Sequence, residues 1–142
     1  METFEYTHTV KFSEVDMAGV VFFSRFFEYA HSAFEAFFQH IGWSFAQVFN
    51  EGQWGFPLVH AEADYQAPAR LGDDLTVQLA VAKLSESAFT MRYRITLPGG
   101  KPVASVLTRH VWVDRATFKK AAMPEEVRAK LEAYHQESTA GD

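Results

Sequence analysis

The sequence feature that most constrains the fold is a stripe of phenylalanine rings at helical spacing. Apolar residues recur there in steps of three and four, which places them on one face of an α-helix; they are Phe23, Phe26, Phe27, Ala30, Phe34, Phe37, Phe38 and Ile41. Ser24 is the predicted N-cap of this helix and Gly42 its predicted stop. Each buried ring is worth about 1.5–3 kcal/mol, so this face needs extensive covering. We therefore expect a long helix at the centre of the core, wrapped by the rest of the chain.

Alternation of apolar and polar residues predicts the strands that wrap the helix. Four alternating stretches follow it, over 58–65, 75–82, 89–97 and 103–113, and a further strand is predicted over 4–12. In the first of the four, Val59, Ala61, Ala63 and Tyr65 form the predicted inner face. The joints at 70–74, 84–87 and 98–101 are turn-like, and short joints favour antiparallel neighbours in a meander.

The remaining segments complete a predicted α+β fold. Pro124 is the predicted first residue of a C-terminal helix, with Val127, Leu131 and Tyr134 on one face, whereas 43–56 follows no regular pattern. The fold is thus a five-stranded antiparallel sheet around one long central helix, with a short C-terminal helix. Open edges of such a sheet commonly pair with another copy, so a homodimer or homotetramer is expected.

Composition narrows the classes of function. The 142 residues are 48% hydrophobic, which fits a single domain over 1–142 with a frayed polar tail at 136–142. The absence of cysteine excludes a thiolate nucleophile. A net charge of −5 without a basic cluster argues against nucleic acid, and no run approaches the roughly 18 apolar residues of a membrane span. The acidic N-terminal segment is unlike a signal peptide, so a cytoplasmic location is expected.

Asp16 is the candidate catalytic residue because it comes shortly before the start of the buried helix. Free N–H groups at a helix N-terminus can polarise a substrate carbonyl and hold an oxyanion. A carboxylate beside them supplies the nucleophile or the base that acyl transfer requires. The alternative is that Asp16 only caps a turn that Gly19 permits.

The run from Val10 to Phe26 resembles the signature of hot-dog-fold acyl-CoA thioesterases of the 4-hydroxybenzoyl-CoA thioesterase type. That signature is a strand, then Asp-x-x-Gly-hydrophobic-Val-aromatic, then the central helix, and here it includes Asp16, Gly19 and Phe22. The resemblance extends over roughly residues 6–131. The segments 56–61, 72–75 and 108–111, together with His31, are most similar to the 1,4-dihydroxy-2-naphthoyl-CoA hydrolase branch.

The resemblance implies a mechanism and a set of site residues. Asp16 matches the family's catalytic carboxylate, which attacks the thioester directly or activates a water. Phe23 matches the position whose backbone N–H polarises the thioester carbonyl. The implied substrate is an acyl-CoA, with coenzyme A as part of the substrate and no metal or redox cofactor.

Three further residues are candidate substrate contacts. His31 can hydrogen-bond a phenolic hydroxyl of an aromatic acyl group, or lie on the helix flank as an ordinary histidine. Val59 can shape an aromatic acyl pocket or, equally, belong to the core. His60 can line the acyl pocket at a subunit boundary, although its pattern favours a surface or interface position. His110 is expected to be a packed strand residue, and no pair of histidines has metal-ligand spacing.

One departure from the family concerns the residues that bind the coenzyme A phosphates. Benzoyl-type members can carry a basic cluster in the turn before the strand at 89–97, where this chain has Ser85, Glu86 and Ser87. Phosphates still need positive partners, and the candidates are Arg70, Lys83, Arg92, Arg94 and Arg109. An acyl-carrier-protein thioester therefore remains a possible substrate.

Two other functions fit the same fold. A hydratase or dehydratase would need a histidine and a carboxylate poised on a β-hydroxyacyl chain, and His31 is available for it. A non-catalytic module could bind acyl-CoA in a groove beside the phenylalanine-rich helix.

Overall fold

The computed structural model describes residues 2–136. Strand β1 (Phe4–Thr9) leads through a 3₁₀ turn (Phe12–Glu14) to helix α1 (Arg25–His40), helix α2 (Phe45–Glu51) and strand β2 (Trp54–Gly55). Strands β3 (Leu58–Tyr65), β4 (Asp74–Leu84), β5 (Ala88–Thr96), β6 (Pro102–Val111) and β7 (Val113–Asp114) follow, and helix α3 (Glu125–Glu132) ends the series. This is the predicted α+β architecture.

The main sheet has five antiparallel strands in the order β1-β4-β5-β6-β3, as predicted in number and direction. The predicted meander, in which each strand pairs with the next one along the chain, is wrong at the joint between β3 and β4. Strand β3 pairs with β6 at one edge, whereas β4 pairs with β1 and β5, so 66–73 crosses the fold instead of forming a hairpin. Turn chemistry in this joint marks a change of direction, but it does not identify the strand's pairing partner.

Helix α1 supplies the core, as its stripe predicts. Phe26, Phe34, Phe37 and Phe38 are buried against the sheet. Phe23 departs from the prediction, because it precedes the helix and is 58% exposed. Ser24 occupies the N-cap position, yet its side chain makes no capping hydrogen bond.

The C-terminal end of α1 is closed by the predicted glycine and by a lysine from α3. Gly42 has φ +94°, a conformation that only glycine adopts without strain. Lys130 Nζ donates to the Ile41 carbonyl at 2.6 Å, which satisfies one of the carbonyls left free where the helix ends. The two helices are therefore tied together at this point.

Several boundaries differ from the prediction. Strand β1 ends at Thr9, and Phe12, which is exposed, begins the 3₁₀ turn instead of ending the strand. Helix α2 was not predicted, because its short sequence lacks a clear apolar period. Pro124 is the N-cap of α3 and not its first residue.

The C-terminal segment contributes to the core as expected. Val127, Leu131 and Tyr134 are buried. The Gln136 N–H donates to the Val81 carbonyl at 2.9 Å, so this residue is paired with the sheet and not frayed. The rest of the predicted tail lies outside the described residues.

Strand β3 does not have the half-buried pattern that its alternation predicts. Both faces are largely exposed in the single chain, with Val59 55% and Tyr65 47% exposed. The reason is its place at an edge of the sheet, where one side has no neighbouring strand.

Candidate active site

The segment between β1 and α1 folds into a narrow hairpin over residues 14–22, which we call the Asp16 hairpin. The Phe22 N–H donates to the Glu14 carbonyl at 3.0 Å, and the Asp16 N–H donates to the Val20 carbonyl at 2.9 Å. Gly19, with φ +79°, closes the turn by donating its N–H to the Asp16 carbonyl at 2.9 Å. The glycine is needed there because the turn requires a left-handed residue.

The Asp16 carboxylate lies at the start of this turn and is exposed. Its Oδ1 accepts hydrogen bonds from the Ala18 N–H at 2.8 Å and the Val20 N–H at 3.4 Å. The turn-capping role considered from the sequence is therefore present. Within residues 2–136, Oδ2 has no hydrogen-bond partner, so one oxygen remains available for chemistry.

The hairpin is held in place by the segment that follows β3. The Val21 N–H donates to the Ala69 carbonyl at 2.8 Å, and the Leu71 N–H donates to the Gly19 carbonyl at 3.3 Å. Between them lies an open cleft of about 340 Å³ at the N-terminal end of α1. Its walls are Val20, Val21, Phe23, Phe26, Tyr65, Gln66, Ala67, Pro68 and Ala69. We call it the α1 cleft.

The backbone at this end of α1 has N–H groups that are available to a ligand. The N–H groups of Phe23 and Ser24 have no acceptor in the described part of the chain. Helix N-termini carry partial positive charge, which favours a carbonyl oxygen that is gaining negative charge. The cleft thus has free amide donors at its helical end, and the Asp16 carboxylate lies on the adjacent hairpin, outside the residues that line the cleft.

Tyr65 is a feature of this cleft that the sequence argument missed. Its O–H donates to the Phe23 carbonyl at 3.1 Å, and its ring lies 5.5 Å from the ring of Phe26. The hydrogen bond fixes the peptide that carries the free Ser24 N–H. The available signal was the apolar alternation of β3, which placed Tyr65 on the inner face but did not identify its partner.

The other predicted contact residues lie outside the α1 cleft of the single chain. His31 is exposed on α1, with its ring 5.9 Å from that of Phe34. Val59 is on the edge strand, and His60 pairs with Glu62 at 3.0 Å on an exposed part of β3. Of the predicted set, only Phe23 lines the α1 cleft of a single chain, while Asp16 lies on the hairpin whose residues Val20 and Val21 form part of its wall.

His110 is packed in the core, as expected. Its ring stacks against the rings of Phe34 and Phe89, at centroid distances of 4.5 and 5.0 Å. Its Nδ1 lies 3.1 Å from the Phe56 carbonyl, and its Nε2 lies 3.1 Å from Thr108 Oγ1. Burial lowers the pKa of His110 to about 4, so the ring is neutral at neutral pH.

The basic candidates are spread over the fold, and one of them, Arg92, is buried. Arg92 and Arg94 line a depression of about 750 Å³ on the sheet together with the carboxylates Glu62 and Asp64. Arg70 is different, because its backbone bridges Val20 of the Asp16 hairpin. It is therefore the basic candidate adjacent in the backbone to the proposed catalytic segment.

Residues 2–136 contain neither a cluster of candidate metal ligands nor a membrane-spanning helix. No group of three or more His, Asp or Glu side chains there could hold a metal ion. No helix in that range is long and apolar enough to cross a membrane.

Comparison with known proteins decides the family. The model of the thioesterase-like superfamily matches residues 10–131. The chain belongs to this superfamily. The hairpin, the central helix and four of the five strands of the main sheet, β3 to β6, fall within the matched region. The sequence resemblance to hot-dog thioesterases is thus confirmed, and with it the prediction of a thioester hydrolase.

Individual relatives agree with this assignment. A 1,4-dihydroxy-2-naphthoyl-CoA hydrolase of Acaryochloris marina is 33% identical over 86% of this chain and 90% of its own length. One from Synechocystis is 34% identical over 88% of this chain and 91% of its own length. The crystal structure of a 1,4-dihydroxy-2-naphthoyl-CoA thioesterase from Synechocystis superposes with a TM-score of 0.86 at 32% identity, covering 92% of this chain and 96% of the other.

Proposed function

We propose that this thioesterase hydrolyses an aromatic acyl-CoA, with 1,4-dihydroxy-2-naphthoyl-CoA as the first substrate to test. The observation that carries the proposal is a carboxylate oxygen of Asp16 with no hydrogen-bond partner among residues 2–136, on the hairpin that leads into the free amide donors at the start of α1. The relatives named 1,4-dihydroxy-2-naphthoyl-CoA hydrolase support the choice of acyl group. The rings of Phe23, Phe26 and Tyr65 give the cleft an aromatic wall that suits it.

In the proposed mechanism the thioester carbonyl oxygen accepts a hydrogen bond from the Phe23 N–H. Asp16 Oδ2 then attacks the carbonyl carbon, or removes a proton from a water that attacks it. The C–S bond breaks and the coenzyme A sulfur takes up a proton. On the water route the acyl group leaves directly as the free acid, whereas after direct attack a water molecule must cleave the bond between the acyl group and Asp16, which releases the acid and restores the carboxylate. Negative charge that develops on the carbonyl oxygen is stabilised by the amide donor and by the helix dipole.

The two routes for Asp16 differ in their kinetics. Direct attack forms a mixed anhydride, and a burst of free thiol ahead of free acid in a rapid-quench experiment would identify that route. Equal rates of thiol and acid release from the first turnover favour the activated water. Neither route requires a metal or redox cofactor.

We further propose that two copies of the chain pair through the exposed edge of β3. Leu58, Val59 and Tyr65 are about half exposed there, and the strand has a free hydrogen-bonding edge. Pairing would cover these side chains and bring Val59 and His60 of one copy to a boundary with the other. Sedimentation equilibrium should give the mass of two or four chains, and a single-chain mass at assay concentrations contradicts this part of the proposal.

The remaining expectations concern the substrate's carrier and the protein's location. Arg70 is our candidate to contact the coenzyme A phosphates, because it neighbours the hairpin that carries Asp16. Comparing the coenzyme A ester with the same acyl group on a carrier protein tests whether the nucleotide is needed. A cytoplasmic location remains a prediction.

The decisive experiment measures free-thiol release from a panel of aryl- and alkyl-CoA esters. Asp16→Asn is the informative variant, because the amide oxygen can still accept from Ala18 and Val20 and preserve the hairpin. We expect its kcat to fall by about 10²–10⁴-fold with an unchanged melting temperature. Glu35→Gln, on the exposed face of α1, is the matched control for loss of one carboxylate.

The outcomes separate the candidate functions. An Asp16→Asn variant with the wild-type rate would remove Asp16 from the chemistry. Enoyl-CoA hydration faster than thioester cleavage would indicate a hydratase, and tight acyl-CoA binding without turnover would indicate a binding module.

A further inference from the structure

Glu14, two residues before Asp16, sits at the centre of a hydrogen-bond network at the base of the Asp16 hairpin. Its side chain is 13% exposed. Its Oε1 accepts hydrogen bonds from His8 Nε2 at 2.9 Å, the Lys11 N–H at 2.9 Å and the Tyr29 O–H at 3.0 Å. One carboxylate oxygen thus joins strand β1, the 3₁₀ turn and helix α1.

Tyr29 connects this network to the α1 cleft. It is 3% exposed, and its ring packs against His8 at 4.5 Å and against Phe26 at 5.7 Å. Phe26 is a wall of the cleft. The bond between Glu14 and Tyr29 therefore fixes the base of the hairpin to the helical turn that borders the proposed substrate site.

The backbone carries this restraint to both proposed catalytic groups. The Glu14 carbonyl accepts from the Phe22 N–H at 3.0 Å, immediately before Phe23, while Asp16 follows Glu14 by two residues. Arg25 Nη2 adds a hydrogen bond to the Ser13 carbonyl at 3.1 Å. The separation of the Asp16 carboxylate and the Phe23 N–H thus depends on where Glu14 is held.

The charge state of the network agrees with its geometry. Burial alone would raise the pKa of Glu14, but hydrogen bonds from His8, Lys11 and Tyr29 outweigh it and hold the pKa below the usual value. Burial first, and the Glu14 carboxylate second, raise the pKa of Tyr29. At neutral pH Glu14 is therefore a charged acceptor and Tyr29 a donor, which is the state that the hydrogen bond between them requires.

We propose that Glu14 is a positioning residue for thioester hydrolysis, which sets the distance between the Asp16 carboxylate and the amide donors of α1 through Tyr29 and His8. The inference rests on the proposed function. Misplacing a catalytic group by about 1 Å can cost roughly 100-fold in rate, so an anchor of this kind acts on kcat. Substrate binding in the cleft depends on other residues, so KM should change little.

Three variants test the inference against a control that destabilises the other end of the same helix. Glu14→Ala removes all three hydrogen bonds, Tyr29→Phe removes one, and Glu14→Gln keeps an oxygen that can accept from Lys11 and Tyr29. Lys130→Met removes the bond to the Ile41 carbonyl at the far end of α1. Each protein is assayed for kcat, KM and melting temperature with the best ester of the panel.

We expect Glu14→Ala to lower kcat by about 10–100-fold with KM within about twofold of wild type. Glu14→Gln should recover most of the loss, and Tyr29→Phe should cost less than Glu14→Ala. Adding Tyr29→Phe to Glu14→Ala should cost nothing further, because the two residues act through one bond. Lys130→Met should lower the melting temperature and leave kcat unchanged.

Contrary results have distinct meanings. Wild-type kcat in Glu14→Ala, or a kcat loss in Lys130→Met that matches it at equal melting temperature, overturns the positioning role alone. A raised KM with unchanged kcat overturns it as well. No turnover by the wild-type protein on any ester overturns the proposed function, and this inference with it. If Glu14→Ala does not fold, Tyr29→Phe and Glu14→Gln decide the question by the same measurements.

Discussion

His110 should make the stability of this protein fall between about pH 6.5 and pH 4. The ring is 4% exposed and stacks against two phenylalanine rings. Its Nδ1–H donates to the Phe56 carbonyl, so the neutral ring must accept at Nε2 from the Thr108 hydroxyl. Thr108 Oγ1 is also 2.9 Å from the Tyr93 hydroxyl, which then serves as donor. The whole chain of hydrogen bonds is satisfied by one neutral tautomer.

The magnitude follows from the lowered pKa. Burial moves the pKa of His110 from 6.5 to about 4. Each unit corresponds to about 1.36 kcal/mol, so the full effect is about 3 kcal/mol. Below pH 6.5 the His110 ring binds a proton in the unfolded chain, whereas in the folded protein it binds one only near pH 4. The contribution of His110 to the free energy of unfolding is therefore fully present above the pKa that this histidine has in the unfolded chain. Below that pH it falls by up to about 1.36 kcal/mol per pH unit, and it levels off once the ring is also protonated in the folded protein.

The assay is urea unfolding from about pH 8 down to about pH 4 for the wild type, His110→Phe and His40→Gln. The phenylalanine ring can keep the stacking but loses the hydrogen bonds to the Phe56 carbonyl and the Thr108 hydroxyl, which costs about 1–3 kcal/mol at neutral pH. The difference in unfolding free energy between wild type and His110→Phe should shrink by about 3 kcal/mol toward pH 4. His40→Gln, at an exposed position, is the control and should keep the wild-type dependence of stability on pH. A difference between wild type and His110→Phe that stays constant across this range refutes the argument.

Three further substitutions test the fold and the site. Gly42→Ala should cost about 1–2 kcal/mol in denaturant unfolding, because φ is +94° and the new Cβ comes within 3.1 Å of Lys130 Nζ. Arg70→Ala should raise KM for the coenzyme A ester with kcat kept, and an unchanged KM removes Arg70 from the phosphate contacts. Tyr65→Phe, which loses the hydrogen bond to the Phe23 carbonyl, should lower kcat by about 3–10-fold in the thiol-release assay. An unaltered kcat would show that this bond does not matter to the reaction.

The local elements of this protein could be predicted because their signals lie within a few neighbouring residues. The spacing of the phenylalanines identified α1, and Gly42 marked its end. Alternation identified the strands of the main sheet. The candidate site was also partly local, since Asp16, Gly19 and Phe23 belong to one short segment that forms one hairpin and one helix start.

Only the tertiary structure decided which distant residues meet. It placed β3 beside β6 at the sheet edge, paired the Tyr65 hydroxyl with Phe23, and stacked His110 on Phe34. It also brought Glu14 to Tyr29, although both residues looked ordinary in the sequence. Periodicity shows which face of an element is apolar, because that depends on near neighbours. The partner of that face is set by how the whole chain packs, since many pairings bury similar area and only their joint fit selects one.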